Sequence, residues 1–280
     1  MTCPLCDGTG WQSVDAEGRR RVTRCACWRD ALASRLVADA RIPRRYQHCD
    51  LDGFETYGND SLVQAVAHAR RLAEAFPVVE RGLFLLGPPG VGKTHLAVAV
   101  LKHVTRLRGG RGLFYDTREL LRVIRHTYDP VARASETDVL KPVMRADLLV
   151  LDDLGAEKTS EWVDETLNLI VNSRYSERRV TVFTSNYDIG DPTDPDSLQV
   201  RVGFRMYSRL HEMCEFLHLD GADYRELPAN GGVDDLRALW ALRKKPLKRA
   251  LPSRAGAPAR AQLRDGRADL KWSGGRAGTS

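Results

Sequence analysis

No long apolar run interrupts this 280-residue sequence. The longest, Leu96–Leu101 and Leu148–Leu151, fall far short of the roughly 20 residues that span a bilayer, so no membrane-crossing helix is expected. The opening Met1-Thr-Cys-Pro-Leu-Cys6 has no apolar signal core, which argues against secretion and for a cytoplasmic protein. No internal repeat is found, which sets solenoids and propellers aside. Cysteine is sparse, six in all, and four of the six lie within the first 27 residues. What remains is 42% hydrophobic residues in a chain long enough for one sizeable α/β core plus appendages.

Acidic charge is scarce in one region only. The net charge is +6, but residues 229–280 hold 12 Lys/Arg against 4 Asp/Glu, leaving the rest of the chain near −2. That tail is rich in Ala, Gly, Pro, Ser and Arg, a composition that buries too little surface to offset chain entropy. Disorder is therefore expected there, with a weak helix possible over Asp234–Lys245. Two roles stay open: attraction to phosphate backbones, or a solvated terminus.

Residues 1–41 read as a cysteine hairpin followed by an amphipathic helix with Leu32, Leu36, Val37 and Ala40 at helical spacing. Ile42-Pro43 breaks that helix, and residues 42–59 read as a linker. Residues 60–228 alternate buried strands with helices, the pattern of a parallel sheet with crossovers. Strands are expected at Leu83–Leu86, Gly112–Tyr115, Leu148–Leu151, Val180–Thr184 and Glu215–Leu219. Helices are expected at Thr94–Leu107, Thr117–Tyr128, Glu161–Ser176 and Val200–Met213.

Gly87-Pro88-Pro89-Gly90-Val91-Gly92-Lys93-Thr94 fits G-x-x-x-x-G-K-[ST] between a strand and a helix. Glycines let the backbone curl so that successive N–H groups face phosphate oxygens, and the helix adds its positive end. These residues, with His95, are the expected nucleotide cradle. Lys93 is expected on the β- and γ-phosphates and Thr94 on Mg²⁺. Downstream, Asp147-Leu-Leu-Val-Leu-Asp152-Asp153 brings two acids out at the end of a buried strand, where open α/β sheets collect ligands. Asp152 suits the Mg²⁺ and Asp153 the attacking water. Asn186 ends the next strand, placed to bond that water or the γ-phosphate, with Thr184 or Ser185 as the alternative.

In this series of motifs the chain resembles the DnaC/IstB-type AAA+ ATPases. The likeness covers about Ile42 to Arg225. It rests on Gly87–Thr94, on Asp147 to Lys158, on Asn172-Ser-Arg-Tyr175, on Thr184-Ser-Asn186, on Tyr207-Ser-Arg-Leu210 and on Gly221-Ala-Asp-Tyr-Arg225. The resemblance implies an α/β AAA+ P-loop fold, ATP hydrolysis, nucleotide-driven self-association, single-stranded DNA binding and a replicative helicase as partner. In IstB-like members a transposase takes that place. It further implies that Arg209 is an arginine finger acting on a neighbouring subunit's ATP, with Arg205 one turn away as the alternative, and that Arg225 touches the γ-phosphate within its own subunit. A remodeller of proteins without DNA contact remains the third possibility.

Cys3-x-x-Cys6 and Cys25-x-Cys27 are paired thiols in a chain without a secretion signal, which suits a structural Zn²⁺ better than disulfides. So short a segment would take its folding free energy from the metal. The hairpin and its helix are expected to dock a partner protein. Arg118, Arg122 and Arg125 form a basic stripe on one helix, with Leu120, Leu121, Ile124 and Tyr128 turned to the core. Read alone, the stripe is a solvated face; read with the resemblance, it tracks single-stranded DNA, with Lys141 and Arg145 extending it.

Overall fold

The computed structural model describes residues 3–16, 19–129, 135–191 and 193–244, which fall in one compact unit ending at Lys244. The basic tail beyond that point lies outside the described residues. Two strands, β1 (Trp11–Ala16) and β2 (Arg19–Arg24), pair antiparallel between the two cysteine pairs, and α1 (Ala26–Asp39) follows.

The main sheet has five strands, all parallel: β3 (Gly82–Leu86), β4 (Gly112–Asp116), β5 (Leu148–Asp152), β6 (Val180–Ser185) and β7 (Cys214–His218). Their spatial order is β4-β5-β6-β3-β7. The chain leaves β3 and enters β4 three places away, so the crevice beyond the end of β3 is a topological switch point. Alternate residues of each strand feed two cores, as a sheet covered on both faces requires. Leu83 and Leu85 join Leu148, Val150 and Val182 on one side, under α2 (Asp60–Ala75) and α3 (Lys93–His103). Phe84 and Leu86 join Leu149, Leu151 and Phe183 on the other. Over them lie α4 (Thr117–His126), α5 (Glu136–Arg145), α6 (Glu161–Ser176), α7 (Leu198–Val202) and α8 (Phe204–Met213).

The largest fully buried side chain is Arg174 of α6, 1% exposed. Its guanidinium donates to the carbonyls of Val143, Met144, Ala146 and Val180 at 2.6–3.2 Å and to Thr181 Oγ1 at 2.9 Å. One arginine thus ties the end of α5 to the start of β6. Burial pulls its pKa down to about 9.

Three sequence expectations change in the structure. The helix expected over Thr94–Leu107 ends its α-helical part at His103 and continues as a π-helical turn, Val104–Arg108. Thr105 Oγ1 donates to the carbonyls of Leu101 at 2.8 Å and Lys102 at 3.1 Å, competing with the regular ladder at that point. The helix expected over Val200–Met213 is two helices, because Gly203 takes φ 78° and breaks the run between α7 and α8. Tyr128 lies past the end of α4 and is half exposed, its ring edge-on to Trp162 at 6.3 Å.

Residues 42–59 pack on the body as a pinned segment. Arg70 donates to Leu51 O and Asp52 at 2.8 Å, and Lys102 donates to Gln47 O and Cys49 O at 2.6 Å. Helices α2 and α5 have no counterpart among the expected elements, whereas α9 (Val233–Lys244) forms where a weak helix is expected over Asp234–Lys245; it buries Leu236 against the α3 side, so this first part of the basic tail is folded. No helix among the described residues is long and apolar enough to cross a membrane.

Candidate nucleotide site

The turn after β3 follows the path that its glycines allow. Gly87, Gly90 and Gly92 all take positive φ, at 139°, 80° and 101°. A Cβ at Gly87 would run into the Leu219 carbonyl, and one at Gly90 into the Asp223 carboxylate, so neither position has room for a side chain. The loop is braced from behind, where Tyr224 N donates to Gly90 O at 3.1 Å and Leu219 N to Leu86 O at 2.7 Å.

This loop forms one wall of a pocket of about 470 Å³. The other walls come from Asp116 and Arg118 at the end of β4, Asp152 and Asp153 at the end of β5, Thr184 and Asn186 at the end of β6, and Tyr224 and Arg225. Four strand ends therefore meet at the switch point. Lys93 Nζ bridges three oxygens, Gly87 O at 2.7 Å, Pro88 O at 2.8 Å and Asn186 Oδ1 at 2.7 Å. Burial outweighs the nearby Asp152 and Asp153 and lowers its pKa to about 8.

Thr94 Oγ1 donates to Asp152 at 2.8 and 3.1 Å, and Thr184 Oγ1 to the same carboxylate at 2.7 Å. Asp152 is buried, and desolvation moves its pKa up despite these two donors. Asp153 stands in the left-handed region at φ 59°, a costly position for a residue with a side chain. Its N–H donates to Thr184 Oγ1 at 2.9 Å, Asn186 Nδ2 donates to its Oδ1 at 2.6 Å, and Arg118 pairs with its Oδ2 at 3.2 Å. These contacts hold the carboxylate facing the pocket.

Of the sequence-selected residues, Pro89, Gly90, Gly92, Lys93, Thr94, Asp152, Asp153, Asn186 and Arg225 line this pocket. Val91 is buried beneath the loop, while His95 turns to the other side, its ring edge-on to Phe54 at 5.3 Å and Nε2 3.2 Å from Asp50 O. Arg209 lies elsewhere, in a separate cleft with Arg205 and the α6 residues Glu161, Asp164, Glu165, Asn168 and Asn172.

The three arginines of the basic stripe line one cleft with Lys158 and Trp162. Arg118 also reaches the nucleotide pocket, Arg122 pairs with Glu119 at 2.6 Å, and Arg125 sits over the Trp162 ring at 4.5 Å. Arg145 lines a different cleft from the stripe, with Leu36 and Asp39 of α1. Sequence reasoning missed Arg45, Tyr46, Asp116 and Tyr224 as pocket residues. For Tyr224 a signal existed in its place beside Arg225; Arg45 and Tyr46 carry none, because only folding brings residues 42–59 over the pocket.

In the N-terminal hairpin, Cys3, Cys6, Cys25 and Cys27 bring their sulfur atoms within 4.8 Å of one another, with Cys6 and Cys27 at 3.3 Å and Cys3 and Cys25 at 3.8 Å. Arg24 is sandwiched by Trp11 and Trp28, 3.7 and 4.3 Å from the two ring centroids, and packs strand against helix beside the cluster.

Comparison with known proteins agrees with this geometry. Residues 26–228 match the family described as IstB-like ATP binding protein. The replicative helicase loader DnaC of Buchnera aphidicola subsp. Acyrthosiphon pisum is 27% identical over 154 residues, 55% of this chain and 62% of that protein. The chain thus spans less than two thirds of that loader's length. A crystal structure of the DnaC helicase loader superposes with a TM-score of 0.57 at 36% identity, covering 64% of this chain and all of the other. AMPPCP-bound DnaA from Aquifex aeolicus, at 19% identity and TM-score 0.53 over 66% of this chain and 53% of that one, shares the fold. With a family match across most of its length and a parallel sheet that gathers loop, acids and amide at one switch point, the chain belongs to the IstB-like ATP-binding family of DnaC/IstB-type AAA+ ATPases.

Proposed function

We propose that this protein hydrolyses ATP and, in its ATP-bound oligomer, grips single-stranded DNA and hands a replicative helicase onto it. The observation that carries the reading is the joint placement of Lys93, the Thr94–Asp152 pair and the Asn186–Asp153 pair around one pocket, with Arg118 of the basic helix in the same wall. The helicase-loader relatives supply the partner class.

The residues act as follows. Lys93 exchanges its three oxygen partners for β- and γ-phosphate oxygens, and the N–H groups of Gly90 to Thr94 take the rest. A hydroxyl and a carboxylate facing each other fit the all-oxygen preference of Mg²⁺, so Thr94 and Asp152 would hold it. When bound, Mg²⁺ neutralises charge on the β- and γ-phosphate oxygens. Asp153 accepts the proton of the attacking water, and Asn186 aligns that water against it. Arg225 touches the γ-phosphate within the subunit. Arg209, outside the pocket of its own chain, completes the site of a neighbour. The four sulfurs of the hairpin match a closed tetrahedral zinc set, so Cys3, Cys6, Cys25 and Cys27 would hold a structural Zn²⁺ that folds the helicase-docking arm.

Fluorescence anisotropy on a labelled single strand, with ATP, with ADP and with Lys93→Ala, across a salt series, tests the reading. Binding that needs ATP, disappears in Lys93→Ala and weakens with salt is expected, together with capture of a replicative helicase in a pull-down. Absence of DNA binding in every nucleotide state overturns the DNA step and leaves a remodeller of proteins. The IstB-like match favours a second reading, in which the partner is a transposase, and the pull-down separates the two.

A further inference from the structure

Among the described residues, one further cluster outside the nucleotide pocket and the cysteine hairpin joins metal-ligating side chains from distant parts of the chain. His48 and Cys49 belong to the segment ahead of α2, and His95 stands in the first turn of α3, one residue after Thr94. One ligand atom from each of the three lies within 4.8 Å of the others. Cys49 Sγ is 3.9 Å from His48 Nε2, and the two imidazole rings meet edge-on at 6.0 Å.

Cys49 and His95 are held by contacts independent of any ion. Cys49 is 1% exposed, and its N–H donates to Tyr46 O at 3.1 Å. Lys102 clamps the carbonyls of Gln47 and Cys49, and Phe54 packs its ring on that of His95. His48 is exposed, so an ion arriving from solvent meets His48 first and finds the sulfur at the floor of the site. Burial pushes the Cys49 thiol up to about 11 and Lys102 offsets only part of this, so an ion binding here displaces the thiol proton.

We propose that His48, Cys49 and His95 form a second metal site, distinct from the four-cysteine cluster, for a thiophilic divalent cation such as Zn²⁺. One sulfur and two imidazole nitrogens are a borderline-soft set, matched to Zn²⁺ and to its spectroscopic substitute Co²⁺, and unsuited to Mg²⁺ or Ca²⁺. Three protein ligands leave the fourth tetrahedral position to water. The ion would tie residues 48 and 49 to the helix that begins at the phosphate loop. It would thereby fix Arg45 and Tyr46, three residues or fewer upstream, in the wall of the nucleotide pocket.

The test is metal content of the full chain after gel filtration with Zn²⁺, alongside Co²⁺ titration read by its visible absorption. His48→Gln removes a ligand that is exposed and makes no core contact, so the variant folds. Wild type is expected to retain one more equivalent of Zn²⁺ than His48→Gln. It should also show a Co²⁺ component with mixed sulfur and nitrogen ligation that His48→Gln lacks and Cys3→Ser/Cys6→Ser keeps. The melting temperature of wild type should rise with the extra equivalent, and that of His48→Gln should not. Equal metal content and identical Co²⁺ spectra for wild type and His48→Gln overturn the site.

Discussion

Arg174 shows what a single residue can hold in this fold. No carboxylate enters its cage of four carbonyls and one hydroxyl, so its charge is held mainly by these dipoles, with Asp147 and Glu177 contributing from outside the cage. Its removal leaves the carbonyls of Val143, Ala146 and Val180 buried without donors, and each such orphan costs about 1–3 kcal/mol. Arg174→Ala is expected to destabilise the protein by about 3 kcal/mol or more, read as a lower urea midpoint at unchanged slope. Arg174→Lys should recover only part, because an ammonium has three donors and lacks the planar fork. A loss below about 1 kcal/mol in the alanine variant would show that water replaces the guanidinium. Arg174 lies inside Asn172-Ser-Arg-Tyr175, a segment that carries the family resemblance; its role is to stitch the start of β6 to the end of α5, at the edge of the sheet opposite the nucleotide site.

At the scale of the element, α4 carries two tasks on one helix. Leu120, Leu121 and Ile124 anchor it in the core, and Asp116 caps it by accepting from Glu119 N at 3.0 Å. Its three arginines share one cleft beside Trp162, and of the three only Arg118 also touches the nucleotide pocket, through Asp153. The Arg118–Asp153 pair is half exposed and worth little as a stabilising contact, so it is readily traded for another anion. A DNA phosphate drawing Arg118 away would leave Asp153 free to take a proton from water. Arg118→Ala is therefore expected to lose the dependence of ATP turnover on single-stranded DNA, even at saturating DNA. Arg122→Ala/Arg125→Ala should keep full stimulation at saturation while raising the DNA concentration needed for it, with a salt slope smaller by about 2. Identical behaviour of the two variants would refute the division of roles.

The sequence could be read this far because the signals on these elements are local. A strand of four apolar residues followed by two acids, or a glycine turn before a helix, states its own position. The strands β3 to β6 and helix α6 were legible within a residue or two for that reason. The split at Gly203 and the π-helical turn at Val104 were not, since a glycine inside a helical pattern and a threonine bonding back to its own turn read as helix in the hydrophobic period. The placement of Arg45 and Tyr46 over the pocket depends on Lys102 and Arg70 gripping residues 47 to 52, contacts between parts of the chain 18 to 55 residues apart.

For the molecule as a whole, the position of Arg209 matters most. It shares a cleft of about 530 Å³ with Arg205 and the acidic and amide side chains of α6, outside the pocket that Lys93 and Asp152 line. If Arg209 is the finger, as proposed, the ATP pocket and the finger lie in separate clefts of the subunit, and a head-to-tail interface would let each subunit complete the next. Two crippled variants should then complement each other. Lys93→Ala cannot hold ATP but offers an intact finger; Arg209→Ala holds ATP but offers none. Each alone is expected to be nearly inactive. An equal mixture, assembled at random, places an intact ATP site against an intact finger at about a quarter of its interfaces and should recover about that share of wild-type turnover. The recovered rate should rise with protein concentration, since it depends on association. Recovery from Lys93→Ala with Arg205→Ala, and none with Arg209→Ala, would move the finger one turn along α8. A mixture that stays as inactive as its components would place the whole of catalysis within a single subunit.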